Sequence, residues 1–429
     1  MTGPTNTGQH EPTSPRPSVS LWRDGDFVRF WIGQGTSLLG SQVTNLALPL
    51  AAMAIFGASA GQVGLLRFVE LAPYLLLSLP FGVWVDRSRR RPVMIAANAG
   101  RMLLLAAVPV LAHFGALSIH GLIGVAALAG VLAVLFDVSW ASYLPTLVRR
   151  REQLVEANQK LGITQSTTDL AGPGLAGLLI SAIGALPAML LDAASYAVST
   201  LTLLFIRSPE PLSPTVGPRS FSRELVEGVR FVFTNPVLRP LALIAPFTNF
   251  SLTAVSTVFL LDGVRVLGLT AAQIGLVFSA SAAGALLGAV FSRPLMERFQ
   301  PGPLYVVALT GLYGAPILLP LASGPRPVVL AVLVTGLLLS YLGSGLSNVI
   351  QLSLRQTHTP ATLMGRMSAA FRTLLFGGGA VGGLAAGLLA QAVGDHRALW
   401  ITAAGSAAMV VPIALSPVRR LRNPPTTQT

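Results

Sequence analysis

Six ionisable side chains stand inside stretches otherwise too apolar for water: Glu70, Arg101, Asp137, Asp169, Asp192 and Arg372. A charge in hydrocarbon is costly, so such residues mark proton relays, counter-charges for a ligand, or internal ion pairs. Asp169 lies midway along its apolar stretch, three residues before Gly172. It reads either as a proton or ligand site or as a hydrogen-bond partner in helix packing. Glu70 follows Arg67 by three residues, so the two can neutralise each other on one helical face. Asp137 lies near one end of its stretch, where a gating contact with backbone or loop Arg residues is expected. Asp192 sits near the opposite end of its own, within reach of water. Arg101 and Arg372 lie within about two helical turns of a stretch end, from where a long side chain can snorkel to the interface. The uncharged Gln42, Asn45 and Asn249 are polar interruptions of the same kind and candidate cavity residues.

Other chemistries find no residues to carry them. There is no Gly-rich loop ending in Lys-Ser or Lys-Thr, hence no sign of ATP-driven work. His10, His113, His120, His358 and His396 are scattered without metal-ligand spacing, and there is no cysteine, which removes thiolate sites and disulfides. No enzyme and no cofactor is implied.

The elements that must position the six charges follow from composition. The 429 residues are 52% hydrophobic and only 10% charged, with a mean hydropathy of +0.67, where soluble domains carry roughly a quarter charged residues. A chain so poor in charge cannot cover itself in water, and its solvent is lipid. The 43 Gly and 31 Pro lie largely inside apolar stretches, as membrane helices tolerate. A net charge of +13 suits nucleic acid only when gathered on one face. Here the Arg residues cluster in short segments between apolar runs, so topology and anionic headgroups account for it and no nucleic-acid partner is expected.

A membrane helix needs about 20 mostly apolar residues. Twelve such spans are expected, at 28–56, 62–85, 93–115, 120–143, 160–183 and 187–206, then at 238–262, 270–291, 303–322, 326–350, 367–391 and 397–416. Arg87 to Arg91, Arg149 to Arg151, Arg293, Arg298, Arg355, Arg366 and Arg419 to Arg422 fall in alternate loops, whereas the other loops hold only Arg265, Arg326 and Arg397. The bias places the Arg-rich loops and both termini in the cytoplasm, in a multi-pass protein of the cytoplasmic (inner) membrane. Residues 1–26 are polar and Pro-rich without an apolar core, which reads as a disordered cytoplasmic tail and not a signal peptide. The domains expected are a six-helix bundle over 27–206, a linker over 207–236, a second bundle over 237–417 and a short tail over 418–429. In the linker, Phe221, Leu225, Val229 and Val232 share one helical face with charges between them, so it is either an amphipathic surface helix or a plain connection.

The halves repeat. Phe27-Val28-Arg29 matches Val237-Leu238-Arg239, Gly82 matches Gly288, Leu154 matches Leu363, and Ala176-Gly177-Leu178-Leu179 recurs as Ala386-Gly387-Leu388-Leu389, at offsets of 210, 206, 209 and 210 residues. Six spans repeated in one topology give two bundles related by a pseudo-two-fold axis along the membrane normal, with a cavity between them near the midplane. The fold class is therefore all-α membrane protein, and one chain that holds both halves is expected to work as a monomer.

The segment Gly82-Val83-Trp84-Val85-Asp86-Arg87-Ser88-Arg89-Arg90-Arg91 resembles the loop signature of the major facilitator superfamily, with Arg89 where Gly is usual. In span five, Gly172-Pro173-Gly174-Leu175-Ala176-Gly177 is similar to the antiporter signature of its exporters, with Ala176 in place of one Gly. Together with Phe136 to Gln159 and Leu191 to Leu201, these segments look like its enterobactin-exporter and macrolide-efflux branch. The Arg that many drug–proton antiporters carry in span four is absent, where Asp137 is the only charge.

The resemblance implies export of amphipathic small molecules by alternating access, driven by the proton gradient. It also implies a conformational lock at Gly82, Asp86, Arg87, Arg90 and Arg91. The alternatives are an uptake carrier or lysolipid flippase on the same fold, and a sensor that binds ligand without turnover.

Overall fold

The computed structural model describes residues 20–148, 150–210, 221–360 and 363–420. Most of the expected N-terminal tail, the Pro-rich part of the linker and most of the C-terminal tail lie outside the described residues.

Among the described residues every regular element is helical. The first half contains α1 (Gly25–Ala54), α2 (Ala60–Asp86), α3 (Arg90–His113), α4 (Ile119–Leu147), α5 (Arg151–Ile183) and α6 (Ala185–Leu204). A short helix, α7 (Phe221–Thr234), precedes the second half. That half contains α8 (Leu238–Arg265), α9 (Ala271–Arg298), α10 (Pro301–Gly314), α11 (Arg326–Thr357), α12 (Met364–Val393), α13 (Asp395–Ala408) and α14 (Val410–Leu415). A 3-10 segment, Ala315–Leu321, extends α10, and α14 continues the path of α13. The result is twelve spans in two six-helix bundles. Successive spans run in opposite directions, so both chain ends lie at one end of the bundle, called here the terminal end; the other is the far end.

Ten of the twelve segments are long and apolar enough to cross a bilayer on composition alone. The exceptions are α1 and α5, interrupted by Gln34, Gln42 and Asn45 in one and by Glu156, Lys160 and Asp169 in the other. Both are long enough, and α5 with 33 residues reaches about 50 Å. What they lack in hydropathy is explained below by the cavity they line.

The duplication is visible in the joints. Gly184 before α6 and Gly394 before α13, 210 positions apart, both have φ +88°, a region closed to most side chains. Ser59 caps α2 and Thr270 caps α9, each in a capping box closed by Gln62 or Gln273 three residues on.

Three expectations change at the chain's connections. Residues 20–26 are folded: Leu21 is buried, and the Trp22 ring lies edge-on to Trp31 with the Lys160 ammonium 4.0 Å from its centroid. Their aromatic content, against a helical floor, outweighs the polar composition of the segment before them. Val418, assigned to the C-terminal tail, is likewise buried. Helix α7 forms, but it docks on the second bundle: Val232 is buried, Gly228 lies against the Arg366 backbone, and Glu227 pairs with Arg366 at 2.8 Å. The side chains of Phe221 and Leu225 lie outside the described residues, and the outer face carries Val226 and Phe233.

Candidate functional site

Between the two bundles lies a cavity of about 910 Å³, large enough for a drug-sized molecule. From the first half it is lined by Gln42 and Asn45 of α1, Arg67, Glu70 and Tyr74 of α2, Arg101 of α3, Asp137 of α4, Asp169 and Pro173 of α5, and Asp192 and Tyr196 of α6. From the second come Thr253 and Ser256 of α8, Phe278 and Ala282 of α9, Tyr341 and Asn348 of α11, and Phe376 of α12. All the carboxylates and guanidinium groups of the lining belong to the first half. Four acids (Glu70, Asp137, Asp169, Asp192) face two cations (Arg67, Arg101), so the wall is acid-rich although the chain carries +13 overall.

The acids are held differently. Asp169 Oδ1 accepts hydrogen bonds from the amides of Gln42 at 3.0 Å and Gln165 at 2.8 Å. Gly172 makes this possible: a Cβ there would collide with the stem of Gln42. Glu70 is paired with Arg67 at 3.0 Å, and Arg67 also donates to the carbonyl of Asn45, so this pair reads as a structural brace. Asp137 accepts from the Tyr74 hydroxyl at 2.7 Å. Asp192, expected within reach of water, is instead fully buried, with Oδ1 accepting from Ser195. It lies two turns inside α6, where the helices are closely packed. Arg101 does not snorkel outward; it lies 4.1 Å from the Tyr196 ring centroid, on the cavity wall. Asn249 is not among the lining residues: its amide donates to the Leu375 carbonyl and ties α8 to α12.

The far end is shut. Gly64 of α2 lies against Gly387 of α12, and Gly177 and Gly275 bring α5 and α9 into backbone contact. Gly174 donates its N–H to Ser279 Oγ at 2.8 Å, and Ala272 donates to Ser181 Oγ at 3.0 Å. Arg265 donates to the carbonyl of Ala58, and Ser59 to Gln391. Among the described residues these four are the only hydrogen bonds between the halves, and all lie in the far half of the molecule. Nearer the terminal end than these four bonds lies the ring contact between the halves, Tyr74 stacked on Phe376 with centroids 4.4 Å apart. Thus Pro173 and Gly177 close the far end, while Gly172, immediately before Pro173, positions the partner of Asp169.

At the terminal end the loop after α2 is open. Asp86 is exposed and makes no hydrogen bond or ion pair among the described residues, Arg87 is exposed, and nothing stands near Gly82. Arg89 fills the usual Gly position with φ −72°, so the turn needs no left-handed residue. The backbone N–H groups of Arg90 and Arg91 both donate to the carboxylate of Glu210, at 2.6 and 3.1 Å, and the Arg91 guanidinium donates to the carbonyls of Leu203 and Leu204. Glu210 thereby sits at the start of α3, where an anion is favoured. Sequence reasoning missed Glu210, in the Pro-rich part of the linker, and Tyr74, which carries no charge to draw notice. No cluster of three or more His, Asp or Glu able to hold a metal ion occurs among the described residues.

Comparison with known proteins agrees with this architecture. Residues 30–383 match the family model described as the Major Facilitator Superfamily. The multidrug efflux pump Tap of Mycolicibacterium fortuitum is 26% identical over 84% of this chain and 88% of its own length. The enterobactin exporter EntS of Citrobacter koseri is 25% identical over 93% of this chain and 94% of its own. The crystal structure of the nucleoside transporter NupG superposes with a TM-score of 0.75 over 91% of this chain and 98% of that one, at 11% identity, a likeness of fold alone.

Proposed function

Since this chain belongs to the major facilitator superfamily, we propose that it exports amphipathic small molecules across the cytoplasmic membrane in exchange for protons. The observation that carries this reading is the cavity: closed at the far end, acid-rich on one wall, neutral and aromatic on the other. A substrate with an apolar body and a weakly cationic group fits both walls, the ring faces of Phe278, Tyr341 and Phe376 on one side and carboxylates on the other. The similarity to Tap and EntS, named an efflux pump and an exporter, favours outward transport.

The Arg-rich terminal end faces the cytoplasm on this reading, and the cavity stands open to it. Asp169 is the proposed proton or substrate site, with one oxygen held by Gln42 and Gln165 and the other without a hydrogen bond among the described residues. Protonation or ligand binding there acts about two helical turns from Gly177, which closes α5 on α9, so it can bias the two states by differential affinity. Asp86 is proposed as the lock that engages once the cytoplasmic end shuts, through charge-assisted hydrogen bonds. Arg90 and Arg91 anchor that loop to α6. One chain supplies the whole cavity, and the monomer is taken as the working unit.

The test is substrate accumulation in inverted membrane vesicles with an imposed proton gradient, using a fluorescent lipophilic amine as probe. Accumulation that an uncoupler abolishes supports the exporter. Binding of the probe without flux supports the sensor, and gradient-driven loss from the vesicles supports an uptake carrier.

A further inference from the structure

The cavity lining includes one aromatic contact between the halves, and charged residues flank it. Tyr74 of α2 and Phe376 of α12 stack with planes 15° apart. The Tyr74 hydroxyl is bonded to Asp137 on α4. Arg372 precedes Phe376 by four residues, so it lies one turn closer to the terminal end on the same face of α12. It is exposed and makes no hydrogen bond or ion pair among the described residues.

We propose that Asp137 and Arg372 are the two sides of an inner gate, open in this structure, which closes into an ion pair between the halves when the terminal end shuts. The inference rests on the alternating-access reading above. Its geometric basis is the pivot. Among the described residues no hydrogen bond, ion pair or ring contact joins the halves nearer the terminal end than the Tyr74–Phe376 stack, so rocking about that contact brings together first the groups one turn beneath. Asp137 is already oriented by Tyr74, and a pair formed there seals the cavity floor directly under any bound ligand. The gate is distinct from the loop at Asp86, which lies three turns further down α2.

The natural chain has no cysteine, so spin labels can be introduced without a prior background. The first arm measures probe flux and probe affinity in proteoliposomes for wild type, Arg372→Gln and Arg372→Lys. Arg372→Gln is expected to lose roughly tenfold in flux with probe affinity within about twofold of wild type, and Arg372→Lys to keep most flux. The second arm measures label distances across the terminal end, which Arg372→Gln should hold at the open value. The third is the exchange Asp137→Arg with Arg372→Asp, expected to recover flux from the level of either single variant. Wild-type flux in Arg372→Gln overturns the proposal. So does a closed terminal end in that variant, or an exchange variant that binds probe yet stays as inactive as the singles. Absence of flux in the wild type would instead count against the transport reading itself.

Discussion

Gly64 of α2 and Gly387 of α12 meet so closely that neither has room for a methyl group: a Cβ on Gly64 would lie 2.7 Å from Gly387 Cα, and one on Gly387 would lie 2.6 Å from Gly64 Cα. Both obstructions are backbone, which cannot swing aside. Such contact lets helices from two halves close a bilayer-spanning path without side chains between them. Gly64→Ala is therefore expected to destabilise the far-end-closed state. Overpacking of this kind costs about 1–3 kcal/mol, which moves a two-state equilibrium roughly 5- to 150-fold. Labelling of a cysteine placed on the cavity wall, from the far side of oriented vesicles, should rise accordingly; unchanged labelling with unchanged flux would show the contact to be incidental.

Asp169 and Glu70 line the same cavity but are predicted to differ on neutralisation. Glu70 is already compensated by Arg67 at 3.0 Å, so Glu70→Gln leaves a guanidinium that still donates to the Asn45 carbonyl. Asp169 has only amide partners. Asp169→Asn should lower proton-driven flux at least roughly tenfold while sparing downhill exchange of substrate, whereas Glu70→Gln should fall by much less. Comparable losses in both variants would remove the distinction.

Asp86 has no partner among the described residues in this open state, so its removal should not alter the state's stability. Asp86→Asn is predicted to impair transport while membrane insertion, yield and thermal stability in detergent match the wild type. Full activity of this variant in vesicles would exclude the lock.

Asp26 ties the two ends of the first bundle together at the membrane surface. Partial burial pushes its carboxyl up, but hydrogen bonds from the Ser208 hydroxyl and from the backbone N–H groups of Arg207 and Ser208, with Arg29 beside them, outweigh this and hold it below the usual range. A carboxyl lowered on folding adds stability above its unfolded value, and that stability is lost as the pH falls through the folded one. Thermal unfolding should show wild type more stable than Asp26→Asn near neutral pH, with the gap shrinking below about pH 4. A gap independent of pH would mean that Asp26 acts through shape alone.

Much of the architecture was legible because it is written in periodicities that lipid enforces. The apolar runs, the Arg bias and the 210-residue repeat give twelve spans and two bundles, and the paired joints at Gly184 and Gly394 carry that same offset. Within the site, the ionisable residues of the first half could be picked out since nothing but a cavity or a partner excuses them in hydrocarbon. Their grouping was not legible. Whether Asp192 reaches water or is sealed depends on helix rotation and packing depth, which hydropathy does not encode. Asn249 looked like a cavity residue for the same reason, yet its amide turns to a carbonyl of α12. Tyr74 escaped notice because its importance lies in two neighbours from other helices, Asp137 and Phe376. Glu210 sits in a Pro-rich segment whose composition suggests only a linker, and its role follows from where α3 begins.

The central claim is that the two bundles open the cavity to one side at a time. Spin labels at Trp84→Cys and Leu352→Cys report the terminal end, and labels at Phe114→Cys and Val266→Cys report the far end; all four native side chains are exposed. In proteoliposomes, addition of probe under a proton gradient should shorten the first distance and lengthen the second in the same fraction of molecules. Two distances that stay fixed, or that lengthen together, would contradict alternating access in this protein.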